Sequence, residues 1–143
     1  MSLAMSKHER EQFLADLHVG IVSIPEPGCG PLTVPIWYIY EPGSDLWMVT
    51  GRNSRKGNLL KQADRISLCV QTESPPYRYV SVEGPARARD ADDIDRQLLE
   101  MASRYLGRDG GKQYADASSG DASGSIIVTI TPHRWYTVDY GKR

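Results

Sequence analysis

The chain has 143 residues, of which 40% are hydrophobic and 24% charged, so it suits one globular domain around a single core and leaves little room for two. A formal net charge of −1 gives no general pull toward nucleic acid or acidic membranes. No apolar run reaches the roughly 20 residues that span a bilayer, and the start lacks the regions of a secretory leader, so a cytoplasmic protein is expected. Met1 to Met5 contains a second methionine and is set aside as an expression remnant, leaving 6–140 as the domain.

From Ser6 to Leu17 the apolar residues Phe13, Leu14 and Leu17 recur at helical spacing behind a capping-box pair, Ser6 and Glu9. His18 to Ile24 alternates with period two, Pro25 to Pro31 is a proline- and glycine-rich turn, and Leu32 to Tyr40 is a second strand. Pro35 cannot donate to a ladder, so that strand is an edge, carries a bulge, or runs beside something other than a strand. Glu41 to Asp45 turns the chain into a third strand, Leu46 to Thr50. A short helix, Gly57 to Lys61, then precedes strands over Ile66 to Gln71 and Tyr77 to Ala88. Ala91 to Tyr105 carries the pattern of one long helix, Gly107 to Ser125 reads as a glycine- and serine-rich surface loop, and Ser125 to Ile130 is the last strand. About six short strands with one long helix near the end describe a mainly β protein, a small antiparallel barrel with helical trim.

Much chemistry is unsupported by the pattern. His8, His18 and His133 lie far apart, none at metal-ligand spacing, so no metal site is expected. Cys29 and Cys69 make no disulfide framework, and Cys69 falls in an apolar strand where a free thiol is usual. There is no nucleophile elbow and no Walker loop, and Gly28-Cys29-Gly30 lies in a turn without a following helix. No dedicated acid–base machinery is visible, so no catalytic residue is named. What remains is a function in which a bound cofactor's own ring does the chemistry.

The stretch that fits such a function is Thr50 to Lys61, at the end of the third strand. Between Arg52 and Arg65 stand five cations, Arg52, Arg55, Lys56, Lys61 and Arg65, against one acid, Asp64. Glycines and short polar residues alternate with the charges, so the backbone can turn and offer N–H groups while Arg55 and Lys56 supply charged hydrogen bonds. Two readings are open from these residues: a loop that binds an anion, phosphate above all, or a solvated basic turn that merely opens a helix.

The succession Val34-Pro35-Ile36-Trp37-Tyr38, Leu46 to Thr50, Ser54-Arg55-Lys56-Gly57-Asn58-Leu59 and Val80 to Ala86 resembles the flavin-reductase-like split barrels related to pyridoxamine 5′-phosphate oxidase. The resemblance covers nearly the whole chain and implies a six-stranded antiparallel split β-barrel that forms a homodimer, with cofactor sites between the subunits. It implies that Val34, Pro35, Ile36 and Trp37 lie along a flavin or deazaflavin ring, that Val49 and Thr50 adjoin the linker, and that Ser54, Arg55, Lys56 and Asn58 hold the phosphate. Tyr77, Arg78 and Trp135 are looser matches that could reach a site from the same or the other chain. The Trp37-Tyr38 pair with the Ser-Arg-Lys-x-x-Asn loop looks most like the actinobacterial branch that uses the deazaflavin F-420, with FMN as the alternative. The activity so implied is hydride transfer from reduced deazaflavin to an electron-poor conjugated small molecule; a carrier without turnover is the rival reading.

Overall fold

The computed structural model describes residues 2–118 and 124–143. In chain order the elements are α1 (Lys7–Ala15), β1 (Gly20–Ile24), β2 (Leu32–Ile36), β3 (Leu46–Gly51), α2 (Arg55–Gln62), β4 (Arg65–Gln71), β5 (Arg78–Asp90), α3 (Ile94–Ser118), β6 (Ser125–Ile130) and β7 (Arg134–Asp139), followed by a 3-10 turn, Tyr140–Lys142. Every strand pairing is antiparallel. Six strands follow one path, β2-β1-β4-β5-β6-β3, and β7 lies on the flank of β5. The 13-residue β5 joins the two halves, because residues 78 to 85 pair with β4 or β7 and residues 86 to 90 pair with β6.

The alternation legible in the sequence becomes the two faces of this curled sheet. Val22, Ile24, Met48, Leu68, Val70, Val80, Val82, Val128 and Ile130 point inward and are buried, and Phe13 and Leu14 of α1 and Leu60 of α2 close the core. Each such side chain withdrawn from water contributes about 1.5–3 kcal/mol before entropy is set against it.

The path ends on β2 and β3, and these two edges meet only at Ile39 and Trp47. There the two residues exchange backbone bonds of 2.9 and 3.0 Å. Extending that register would set Trp37 against Val49 and Pro35 against Gly51, yet among the described residues no ladder forms there. The barrel is therefore split along this line, and Pro35 lies on an edge strand, one of the positions its missing N–H allows.

Three sequence expectations need correction. Residues 134 to 139 form β7, a strand hidden from the sequence reading behind Thr131-Pro132 although Arg-Trp-Tyr-Thr-Val-Asp is rich in aromatic and β-branched residues. The loop expected from Gly107 is helical as far as Ser118, with a kink at Gly107, whose φ of 78° only glycine adopts freely. A later glycine serves packing: a Cβ on Gly111 would run into Ser103 of the first arm, so the second arm can lie close against it. Residues 119–123 of that expected loop lie outside the described residues. Finally, residues set aside at the start take part in the fold. Met5 is buried, its N–H donates to Thr137 Oγ1 at 2.9 Å, and the Leu3 carbonyl accepts from the Asp139 amide at 2.8 Å. Among the described residues no helix is long and apolar enough to cross a membrane.

Candidate functional site

Where β3 ends, the chain makes a tight passage into α2. Ser54 caps the helix, its Oγ accepting the Gly57 N–H at 2.9 Å and donating to the Gly51 carbonyl at 2.9 Å. Gly57 is needed because a Cβ there would run into the Gly51 carbonyl oxygen, so the first turn of α2 can sit flush on the end of β3. The Gly57 and Asn58 amides are thereby engaged, by Ser54 Oγ and the Ser54 carbonyl. The Arg55 and Lys56 amides have no acceptor among the described residues and remain available.

The cations are less free than their number suggests. Arg55 embraces Glu26, with Nη2 to Oε1 at 2.5 Å and Nε to Oε2 at 3.3 Å, and this carboxylate raises the Arg55 pKa above its ordinary value. Arg52 pairs with Asp90 at 2.5 Å and Arg65 with Glu83 at 3.2 Å. Lys56, half-buried, and Lys61, exposed, have no ion-pair partner among the described residues. Asn58 braces the loop through Nδ2 to the Asn53 carbonyl at 3.4 Å. The Arg55–Glu26 pair also brings the start of α2 to the β1–β2 turn, so the loop lies by the split.

Along β2, Val34 is half-buried, Pro35 exposed and Ile36 buried, while on β3 Val49 is half-buried and Thr50 buried beside Ile126. Trp37, just past β2, is already engaged. Its indole stacks on Tyr105 of α3 at 4.9 Å and 7°, and Tyr114 from the second arm meets it at 5.4 Å and 51°. Tyr105 is fixed in turn, since its hydroxyl accepts the Tyr38 N–H at 3.1 Å and donates toward the His18 carbonyl at 2.7 Å. Arg104 donates to the Ala15 and Asp16 carbonyls at 3.2 and 2.8 Å, which ties α3 to the end of α1. Burial lowers the pKa of His18 and raises that of the Tyr38 phenol above the ordinary value.

The structure thus brings Pro35, Trp37, Ser54, Arg55, Lys56 and Asn58 to one split edge and its end. It does not bring Tyr77 and Arg78 there within one chain. Those residues stand at the start of β5, where the Arg78 guanidinium lies 5.0 Å over the Phe13 ring, whereas the far end of β5, at Asp90, is the end that meets the loop. That separation is about 40 Å measured along an extended strand. Trp135 is also elsewhere, under Arg10 at 4.7 Å and edge-on to Tyr40. Nothing in the sequence pattern marks Tyr105 or Tyr114 as neighbours of Trp37, because the first ends a helical stretch and the second falls in a glycine-rich segment whose fold-back only the structure shows. A cavity of about 770 Å³ lies between the arms of α3, lined by Asp95, Leu99, Ser103, Arg108 and Lys112 among others, and includes no residue of the split or the loop. The candidate site is an open edge, not an enclosed chamber.

The residues present fit a phosphate-bearing ring cofactor. Two available amides and the Arg55 and Lys56 side chains belong to the loop, and the unpaired edges of β2 and β3 offer backbone donors and acceptors along the split.

No curated protein matches the chain. Solved structures do. A conserved hypothetical protein of Mycobacterium tuberculosis superposes with a TM-score of 0.80 at 24% identity, over 98% of this chain and 88% of that one. A structure described as an F420 reductase gives 0.73 at 20%, over 88% and 94%, and an FAD-binding protein of Mesorhizobium loti gives 0.66 at 16%, over 94% of each. At these identities the likeness is one of fold. The model of the pyridoxamine 5′-phosphate oxidase family matches residues 6–139, nearly the whole chain, and the chain belongs to that family.

Proposed function

We propose that the protein is an oxidoreductase that holds a phosphate-bearing flavin-type cofactor along the split, F-420 in the first place and FMN as the alternative. The observation that carries this reading is the meeting of a cationic helix start, with its Arg55 and Lys56 amides available, and the unpaired edges of β2 and β3. When bound, the deazaflavin ring supplies a hydride to an electron-poor conjugated small molecule. The chain's own part is to bind and orient. Arg55 and Lys56 hold the phosphate, Ser54 caps the helix that presents their amides, Asn58 braces the loop, Thr50 and Val49 flank the linker, and Val34 to Trp37 set the plane of the ring.

A homodimer completes the reading. The outer face of β1, β4, β5 and β7 carries the cross-strand row Ile21, Cys69, Ser81 and Tyr136, with Val19 and Tyr77 nearby, and Tyr136 is 65% exposed. A second copy over this face would cover the apolar surface, Tyr77 included. The test is a side-by-side titration with F-420 and FMN, followed by tryptophan fluorescence in the ultracentrifuge-defined oligomer. The expected result is tighter binding of F-420 at one site per chain of a dimer; a monomer, or binding of neither cofactor, would refute the reading.

A further inference from the structure

The loop's principal cation is held by an acid of the same chain. Glu26, in the turn between β1 and β2, makes a two-point contact with the Arg55 guanidinium, and its side chain is only 18% exposed while that of Arg55 is 66% exposed. The Cys29 amide donates to the Glu26 carbonyl at 3.1 Å, which fixes the turn that carries this carboxylate. Glu26 therefore compensates Arg55 from the side of β1, and Arg52 is compensated by Asp90. What the seat keeps uncompensated is Lys56 together with the Arg55 and Lys56 amides.

A seat with about one spare positive charge suits a ligand with one negative charge. A phosphomonoester carries about 1.5–2 negative charges near neutral pH, and a phosphodiester carries one. The difference falls beside a fixed carboxylate. We propose that Glu26 is a specificity-determining residue of this seat, admitting a monoanionic phosphodiester in preference to a dianionic phosphomonoester. The proposal rests on the loop being the phosphate seat, and it deepens that reading: F-420 presents a diester and FMN a monoester. One extra unit of charge repulsion across several ångströms at a protein surface amounts to about a tenfold difference in affinity.

The experiment uses two ligands with the same ring and one charge between them, FMN and riboflavin 4′,5′-cyclic phosphate. Each is titrated at pH 8 and low salt into the wild-type protein, E26Q and E26A, with folding of the variants checked by circular dichroism. The wild type is expected to prefer the cyclic diester, and E26Q and E26A to bind both ligands tighter but FMN by about tenfold more than the diester, since the second charge of FMN faces the same carboxylate. Equal change for both ligands, no change, or weaker binding of both, as for a residue that only orients Arg55, would overturn the proposal. The double variant Arg55→Ala, Lys56→Ala runs in parallel. If it binds both ligands like the wild type, the seat itself is wrong and the proposal falls with it. If it loses both while E26Q shows no selectivity, the seat stands and the role of Glu26 alone is refuted.

Discussion

At the scale of single residues, Gly57 decides whether the loop can exist. In an exposed helix a glycine-to-alanine change is favourable by about 1 kcal/mol. Here the added methyl meets the Gly51 carbonyl, backbone that cannot swing aside as a side-chain tip can. Overpacking of this kind costs about 1–3 kcal/mol and exceeds the propensity gain once α2 must move from β3. Gly57→Ala is therefore expected to lower the melting temperature and to weaken cofactor binding together; a variant that melts higher than wild type would show that the close approach is not needed. The sequence displayed the glycine but not its reason, because the carbonyl it faces is six residues back and becomes a neighbour only once Ser54 turns the chain. The same holds for the charges. Arg52, Arg55 and Arg65 look free in the sequence, yet Asp90, Glu26 and Glu83 reach them across strands far apart in sequence.

At the scale of elements, α1 is joined to the chain's last turn through Glu9. Its carboxylate accepts the Ser6 amide as part of the capping box and takes Lys142 Nζ at 2.7 Å, and the Lys142 bond is the main cause that brings its pKa from the ordinary 4.5 down to about 2. A carboxyl with a depressed folded-state pKa adds stability that is fully present above the unfolded value. That contribution fades as pH falls from 4.5 toward 2, where the folded state too takes up the proton. Lys142→Ala should flatten the acid limb of stability in this window, read by urea unfolding between pH 5 and about 2; an unchanged limb would mean the pair does not act in solution. The capping box was legible because both of its partners are local, whereas Lys142 was not. Helix α3 teaches the converse. Glycines at 107, 110 and 111 spell a loop by propensity, but the kink at Gly107 and the close packing of Gly111 on Ser103 turn them into the means of folding a helix back on itself. That fold-back is what sets Tyr114 against Trp37.

At the scale of the whole molecule, the barrel follows from alternation, and its split follows from the ends of the strand path. Burial alternates with period two along β1, β3 and β4 and the first part of β5, the pattern that His18 to Ile24 already displayed in the sequence. Pro35 marked β2 as an edge or a bulge, and the structure makes it one of the two lips of the opening. The distance of Tyr77 and Arg78 from the loop was not legible, since nothing local to them records which end of a long, bent β5 meets Arg52. In one copy the split stays open and those two residues stand on another side. The central claim is that the loop from Ser54 to Asn58 is the seat of the cofactor phosphate, and it has a direct measurement: affinity of Arg55→Ala, Lys56→Ala for F-420 and FMN beside the wild type. Loss of two charged hydrogen bonds, about 1.5–3 kcal/mol each, predicts affinity at least a hundredfold weaker with the melting temperature little changed. Affinity equal to that of the wild-type protein would contradict the account.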